Sequence, residues 1–594
     1  MSDRSKQASK QASKQASSYV VTACFNSMEN SMGLDCEKNK IYKVLLLDDE
    51  ALVRTALKAF LKGTEFCLVA VSTAEEAEAA LRHANFDIIV SDILMDPVDG
   101  FAFRDRVRRF DSGIPFIFLT SAAGGHDNSL FLRIMDDLFS YYLPKGAGAN
   151  FLLQKLRQVA QTFRIRQEAR QQQAIIRRNH AIAATVQQAL MPPWAYRGEG
   201  CEYAFLYKPF DKISGDLFEY FPQSEHSALF VFGDISGHGT HSALAMTALS
   251  TYLKQVINAE NAGKPHEIAN LINRFLRTEL SGVVYVCAMI LYWDFAKNIL
   301  RVLNCGLPDI LHCANPAGEV CQVSTDNCGA IPLGLMPNQI LNESDTVEIH
   351  FPDDSVFLFF SDGILDQSRD ELGSEMLSTD ILKQLFGEEL KKNGESGLWS
   401  LPYRIYHTLR ERGYTHPQDD CSLVVIRKTP PAADDVFELL VPADYMEIDR
   451  SIQEASNYLR QKMFDEKACV KAELLLSEFL TNVLKHGMRN KILTHDCMVM
   501  RLERVAGDEL HVCVWDRGTC WDQWLDAEPD LPPDDRLDEL GCKRSVNGRG
   551  IPILRKVSQS ITISHWDTLN KTVFKMSELK FGRSLDACKS EKNS

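Results

Sequence analysis

The chain has 594 residues, 45% of them hydrophobic and 24% charged. That balance excludes a mostly disordered chain, and the length allows roughly four units of about 150 residues. Net charge is −15, from 65 basic and 80 acidic residues, which argues against a wholesale nucleic-acid binder. No run of about 18 apolar residues occurs, so no membrane span is expected.

Residues 5–17 read SKQASKQASKQAS. This repeat offers almost nothing to a core, so residues 1–39 are expected to be a disordered tail. Arg4, Lys6, Lys10 and Lys14 precede a short apolar stretch from Tyr19 to Phe25. Thr22 interrupts that stretch and no clear small-residue cleavage site follows, so a secretory signal is not expected. The 16 cysteines are scattered, without C-x-x-C pairs or zinc-ligand spacing. That is the pattern of reduced thiols, and a cytoplasmic location is expected.

Between residues 40 and 150 apolar runs alternate with helical periodicity. Val44 to Leu47 ends in Asp48-Asp49-Glu50, and Leu52, Ala56, Leu57, Phe60 and Leu61 recur at helical spacing. Ile88 to Val90 and Pro115 to Leu119 are further apolar runs. The pattern predicts a doubly wound parallel sheet covered on both faces. Carboxyl ends of neighbouring strands converge in such a sheet, so Asp48, Asp49 and Asp92 should share one pocket. Carboxylates that close repel unless a cation sits among them, and Mg²⁺ suits oxygen ligands. Read alone, Asp92 is an ordinary strand-end aspartate. In order with VSDILMDPVDG, LTS and YYLPKGA, the set resembles the response-regulator receiver domain. The resemblance implies that Asp92 accepts a phosphoryl group and that Asp48, Asp49 and Asp92 hold Mg²⁺. It also implies that Thr120 and Lys145 bind the phosphoryl group and that Tyr142 is the switch aromatic. Pro97 and Gly146 depart from the family pattern without touching the chemistry.

Residues 151–190 predict one or two long helices forming a linker. Leu152, Leu156, Val159 and Phe163 step by four, three and four, and the stretch then turns polar through Arg166, Arg170 and a Gln triplet before Ile175 and Ile176. A solvated connecting helix and a dimerising signalling helix both fit this heptad-like start.

Residues 191–428 are strand-rich, with Gly, Pro and Asp at the turns. Asp216 lies in ISGDLFEYF, Asp234 in VFGDISGHGTHSA, Asp362 in FFSDGILD, and Asp419 and Asp420 in HPQDDCSLVVI. Glycine permits turns that bring strand-end carboxylates together. Two Mg²⁺ or Mn²⁺ ions held by such acids can activate water and clamp a phosphoryl group. One such motif is weak. Four in this order, with QQALMPP, IPLGLMP and ELGSEML, resemble the SpoIIE-type PPM serine/threonine phosphatases. The resemblance implies that Asp234 bridges two metals with help from the Ile235 carbonyl. Asp362 and Asp419 complete the site, and Asp216 is a weaker member. His238 reads as a structural turn histidine rather than a general acid. No phosphate-gripping arginine is identified; Lys208 and Lys212 are the candidates.

Pro430 and Pro431 mark a linker, and a last α/β unit covers residues 434–580 before a polar tail at 581–594. In LLLSEFLTNVLKHGM, Glu478, Asn482 and His486 are spaced to line one helix stripe. An Asn amide can ligate Mg²⁺, and a Glu one turn earlier can take a proton from an incoming hydroxyl. WDRG follows a strand, and NGRGIPILRK supplies open backbone before a helix, a setting that favours phosphates. The ordered trio resembles the GHKL ATPase fold of the anti-sigma-factor serine kinases. The resemblance implies Glu478 as catalytic base, Asn482 on Mg²⁺, and Asp516 with Gly518 at the adenine. It places Gly548 and Gly550 in the phosphate lid and Thr572 beside the nucleotide. A sensor histidine kinase shares this fold, but it would need a histidine-bearing hairpin that the short linker cannot hold. His180 lacks the acidic neighbour such a site requires.

Receiver, PPM-type β-sandwich with helices and GHKL α/β sandwich form a multidomain α/β and α+β chain. It resembles the HsbR-like response regulators of partner-switching pathways. The resemblance implies Mg²⁺ at receiver and kinase, two Mn²⁺ or Mg²⁺ at the phosphatase, and ATP. It implies a sensor histidine kinase or phosphotransfer protein upstream. Downstream it implies a STAS-like anti-sigma-factor antagonist that is dephosphorylated and rephosphorylated, and a sigma or anti-sigma factor as further partner. A homodimer through the linker helix is expected, and control through protein partners rather than DNA. The competing reading is a scaffold whose C-terminal unit binds nucleotide and sequesters a partner without transferring phosphate.

Overall fold

The computed structural model describes residues 41–120, 137–520 and 550–576, apart from breaks at 199, 238, 283, 317, 326–330, 337, 393–396, 432, 463, 465, 489–495 and 506–508. The tails expected at 1–39 and 581–594 lie outside the described residues. The chain divides into two compact units, Met1–Arg178 and Asn179–Ser594.

The first unit is a parallel sheet of β1 (Tyr42–Leu47), β2 (Phe66–Val71), β3 (Ile88–Asp92), β4 (Phe116–Thr120) and β5 (Ser140–Pro144), in the order β2-β1-β3-β4-β5. Helices α1 (Ala51–Leu61), α2 (Ala74–His83) and α3 (Gly100–Arg108) connect the strands. Alternate residues of β1 face opposite cores. Leu45 and Leu47 pack with Phe101 and Phe103, whereas Val44 and Leu46 pack with Leu61 and Leu143. Both faces are therefore dry, which is why the strands read as continuous apolar runs.

Helix α4 (Ala149–Leu190) is one element of 42 residues. Its first turns belong to this unit. Leu152, Leu156 and Val159 pack with Tyr42, Val44 and Leu46, and Phe163 enters the opposite core. Arg164 then pairs with Asp87 at 2.6 Å. Residues 152–163, expected to open the linker, are thus covered within the first unit. The four-three-four stripe is the receiver-like unit's own closing helix, because any apolar helix stripe looks alike until its partner is known. Leu156 is 1% exposed, so Leu156→Ala should cost about 2–5 kcal/mol. A lower urea midpoint for the first unit's transition in the full chain checks this; an unchanged midpoint would contradict the placement.

The second unit begins with eleven strands. They are β6 (Ala195–Arg197), β7 (Cys201–Lys208), β8 (Leu217–Ser224), β9 (Ser227–Ile235), β10 (Val286–Asp294), β11 (Ile299–Cys305), β12 (Ile310–Cys313), β13 (Val320–Val323), β14 (Val347–His350), β15 (Val356–Phe360) and β16 (Cys421–Lys428). They form two antiparallel sheets, β14-β11-β10-β9-β8 and β13-β12-β15-β16-β7-β6. Phe205, Phe357 and Val424 of one meet Phe230, Met289 and Val302 of the other in a shared core. Helices α5 (Thr240–Val256) and α6 (Pro265–Thr278) pack with the first sheet. Helices α7 (Thr379–Lys391) and α8 (Leu401–Glu411) pack with the second.

The last sheet contains β17 (Val436–Pro442), β18 (Cys497–Val505), β19 (Glu509–Asp516), β20 (Ser560–Trp566) and β21 (Leu569–Met576), in the order β17-β18-β19-β21-β20. Met498, Met500, Val512 and Val514 face α9 (Tyr445–Gln461), α10 (Glu466–Asn482) and α11 (Gly550–Val557). The alternate residues Cys497, Val499, Cys513 and Trp515 share a core with Trp399 and Tyr403 of the sandwich region. Trp194 Nε1 donates to the Cys497 carbonyl at 2.9 Å, and Arg197 meets Glu438 at 3.2 Å. The segment around Pro430 and Pro431 thus joins two folds that bury surface against each other. Among the described residues, no helix is long and apolar enough to cross a membrane.

Candidate functional sites

In the first unit, β1 and β3 run side by side with Leu47 opposite Ser91. The residues that follow therefore converge. Asp48, Asp49 and Asp92 each place a carboxylate oxygen within 4.8 Å of the others. Lys145 Nζ lies 2.7 Å from Asp92, 3.3 Å from Asp48 and 3.4 Å from Glu50. Burial raises the Asp48 pKa despite the Glu50 backbone N–H and Lys145. Burial works against the Lys145 charge, but its contacts with Asp92 and Asp48 outweigh that and raise its pKa. Two buried acids, Asp48 and Asp92, with exposed Asp49 beside them and one cation among them, are short of positive charge, which suits a hard divalent ion. Gly100 is required here, since a Cβ would stand 2.1 Å from the Asp92 carbonyl. Tyr142 is 42% exposed on β5. Thr120 ends β4, next in line after Leu119, which pairs with Asp92; its side chain lies outside the described residues. Glu50 is a contact that sequence reasoning quoted but did not assign.

The sandwich brings its acids to one end. Asp234 lies on β9, Asp362 follows β15 and Asp419 precedes β16. Asp216 sits just before β8, 1% exposed. Its Oδ2 accepts from Ser361 Oγ at 3.1 Å, and its Oδ1 has no hydrogen-bond partner among the described residues. Two glycines allow the approach. A Cβ on Gly215 would lie 2.8 Å from the Ile235 carbonyl, and one on Gly363 would lie 2.0 Å from the Asp420 carbonyl. Burial and the neighbouring Asp362 and Asp419 push the Asp234 pKa up to about 8. Burial and Asp419 also raise Asp362, while burial and Asp234 raise Asp216. Carboxylates that suppress one another's ionisation, one with an orphaned buried oxygen, fit a divalent-cation site.

Asp420 stands beside that set and adds to the charge felt by Asp234 and Asp216. Its two oxygens accept from Phe210 N at 2.7 Å and Gly215 N at 2.8 Å, which pins the loop leading to Asp216. Asp366, one turn past Asp362, is raised by burial, Asp362 and Asp419. The i,i+4 spacing in SDGILD could have revealed it. Lys208 Nζ lies 2.5 Å from Asp567. Lys212 is exposed, and His238 lies outside the described residues.

This electrostatics has a pH consequence. An acid whose folded pKa is raised binds its proton more tightly in the folded state. The penalty is absent below the unfolded pKa near about 4. It grows as pH rises toward about 8, where Asp234 ionises. Metal-free protein should therefore lose thermal stability between about pH 5 and 8, and Mn²⁺ should restore more of it at the upper end. Calorimetry in chelator and in Mn²⁺ tests this; a pH-independent difference, or one unchanged in Asp234→Asn, would contradict the cluster.

In the last sheet, Asp516 ends β19 opposite Asn570, and Thr572 lies opposite Val514. Asp516 Oδ1 accepts from Gly518 N at 2.8 Å and Asn570 Nδ2 at 3.0 Å. Asp516 Oδ2 and Thr572 Oγ1 are buried without hydrogen-bond partners among the described residues. Burial pushes the Asp516 pKa up to about 6 against the Asn570 and Gly518 contacts. An acceptor and a hydroxyl left open on one face fit the amino and ring-nitrogen edge of adenine. Glu478 and Asn482 are half-buried, four residues apart on α10. The α-helix ends at Asn482, and Val483–Gly487 forms a wider turn. His486 therefore leaves the stripe that uniform helical spacing predicted. That turn delivers Gly487 to Gly518, where Thr519 N donates to the Gly487 carbonyl at 3.1 Å. Gly548 lies outside the described residues, and Gly550 begins α11.

Comparison with known families gives three matches in chain order. The response regulator receiver domain matches residues 44–157, the stage II sporulation protein E (SpoIIE) model 224–429, and the histidine kinase-like ATPase domain 441–576. A probable transcriptional regulator, ycf27, of Guillardia theta is 34% identical over 104 residues, 18% of this chain and 41% of that protein. The chain thus spans about two fifths of that curated relative's length. The RsbU and RsbW domains of Rv1364c from Mycobacterium tuberculosis are similar at 17% identity, covering 66% of this chain and 96% of that one, with a TM-score of 0.34. The SiaA-PP2C domain of Pseudomonas aeruginosa is similar at 20% identity, covering 43% and 98%, with a TM-score of 0.36. The chain carries a receiver domain, a PPM-type phosphatase domain and a GHKL-like ATPase domain, in that order.

Proposed function

We propose that this chain is a phosphorylation-controlled response regulator that removes phosphate from a serine or threonine of an anti-sigma-factor antagonist and restores it with ATP. Asp92 takes the phosphoryl group from an upstream histidine kinase or phosphotransfer protein, with Lys145 beside it to meet the added charge. Asp234, Asp362, Asp419 and Asp216 hold the phosphatase centre, aided by the Ile235 carbonyl. Divalent cations, Mn²⁺ or Mg²⁺, would supply the charge that lets these acids converge and would polarise water and phosphoryl oxygens. Asp516 and Thr572 orient adenine, Asn482 offers its amide oxygen to Mg²⁺, and Glu478 receives the proton of the acceptor hydroxyl. Gly548 and Gly550 are assigned to the phosphate end of the nucleotide from the NGRG motif.

The observation that carries this reading is the presence of both centres in one unit. The acids of the sandwich raise one another's pKa and include a buried oxygen without a hydrogen-bond partner, and Asp516 Oδ2 and Thr572 Oγ1 lie buried and unpartnered on the last sheet. A nucleotide-binding sequestration module without transfer is the second reading. It is favoured by the last sheet's shared core with the sandwich, which gives the ATPase domain a structural task of its own. The full chain incubated with γ-labelled ATP and the small protein that copurifies with it decides between them. Label that enters a serine or threonine and is released on adding Mn²⁺ supports the enzyme pair. Stable complex formation with no transfer supports sequestration.

A further inference from the structure

Helix α4 ends beside the phosphatase centre, and one residue of its last turn has an unusual set of contacts. Gln187 is 2% exposed. Its Nε2 donates to the Ser214 carbonyl at 2.6 Å, and its Oε1 accepts from Ser214 N at 3.1 Å and from Tyr207 Oη at 3.0 Å. The side-chain amide therefore pairs with both backbone groups of Ser214, as a neighbouring strand would. A buried amide is retained at such a place only when both ends are bonded.

Ser214 leads directly to the acid. Its Oγ accepts from Asp216 N at 3.0 Å. The same loop is pinned on its other side by Asp420, through Phe210 N and Gly215 N. Two turns earlier on α4, His180 faces this loop as well, 3.5 Å from Asp211. The segment 210–216 is thus clamped between Asp420 and Gln187, and its end carries Asp216 with one buried oxygen left unpartnered.

We infer that Gln187 is a positioning residue for the phosphatase centre, holding the Ser214–Asp216 segment so that Asp216 is aimed at the metal. This rests on the phosphatase reading above. Without the Gln187 amide, the Ser214 N–H and C=O lose their buried partners. The segment then gains by moving toward water, and Asp216 moves with it. Partners one layer behind a ligand commonly set metal affinity in this way.

The test uses the full chain carrying Asp48→Asn, which removes the receiver's metal contribution. Mn²⁺ affinity is measured by calorimetry and by electron paramagnetic resonance. Gln187→Leu keeps size but removes all three bonds and should weaken Mn²⁺ binding about tenfold or more. Amide hydrogen exchange should quicken in the peptide spanning 209–216 more than elsewhere. Tyr207→Phe removes the third bond alone and should shift affinity much less. Unchanged Mn²⁺ affinity in Gln187→Leu would overturn the inference, as would equal losses in both variants. If Gln187→Leu fails to fold, the otherwise unaltered chain still decides: Mn²⁺ should slow exchange at 209–216, and no slowing there would overturn the inference. Mn²⁺ binding that Asp234→Asn leaves intact would sink the phosphatase reading itself, which separates the two failures.

Discussion

Asp362→Asn or Asp234→Asn should abolish metal-dependent hydrolysis of a phosphoserine protein while leaving the fold in place. Each substitution keeps size and removes one charge from a cluster where burial and mutual repulsion already raise the carboxyl pKa values. The fold should tolerate it, because the amide, like the protonated acid favoured in the metal-free cluster, brings no charge to bury. The chemistry should not, because the cluster's charge is what a divalent ion answers. Removing a preorganised electrostatic group typically costs about two to three orders of magnitude in rate, and loss of a shared ligand should cost at least that much. Turnover in Mn²⁺ is the measurement, with thermal unfolding in chelator alongside. A rate near that of the unaltered chain in either variant would refute the assignment. An unchanged or higher unfolding temperature in chelator is expected.

The acids were legible in the sequence for a simple reason. Asp48, Asp92, Asp362 and Asp419 each stand at the end of an apolar run, and strands of one sheet deliver their ends to one place. The flanking glycines were legible for the related reason that backbone must pass close by, as Gly363 and Asp420 do. What remained hidden depended on partners far along the chain. Leu152, Leu156, Val159 and Phe163 form a correct amphipathic stripe, but a stripe does not name what covers it, and here it is the first unit's own sheet. Gln187 is a polar residue in a polar stretch, and its role exists only through Ser214, 27 residues on. The burial of Trp515 against the sandwich had a signal. Cys497, Val499, Cys513 and Trp515 make β18 and β19 apolar on both faces, and a strand apolar on both faces is covered on both. The departure of His486 from its stripe had none, since helical spacing cannot foresee a widened turn.

Glu478→Gln should separate nucleotide binding from phosphate transfer. Adenine recognition is assigned to Asp516 and Thr572, on the sheet, whereas Glu478 is on α10. Replacing the carboxylate by an amide keeps shape and removes only the basic oxygen. ATP affinity should therefore persist, while transfer to the acceptor hydroxyl slows by about two to four orders of magnitude, the usual worth of a positioned general base. Asp516→Ala should do the opposite. It takes the acceptor from the Gly518 N–H, leaves the Asn570 amide only its bond to the Gly518 carbonyl, and removes the open oxygen meant for adenine. ATP binding should then fall about tenfold or more. Asn482→Ala should weaken Mg-ATP more than ATP in chelator, because its amide oxygen is assigned to the ion. Calorimetric ATP titration and single-turnover transfer of labelled phosphate, run on the same three variants, resolve the set. Normal transfer by Glu478→Gln would place the base elsewhere. If the unaltered chain binds ATP and transfers nothing to any copurifying partner, the enzyme reading of this domain fails. Partner retention that depends on Asp516 but not on Glu478 would then identify the domain as a nucleotide-gated sequestration module.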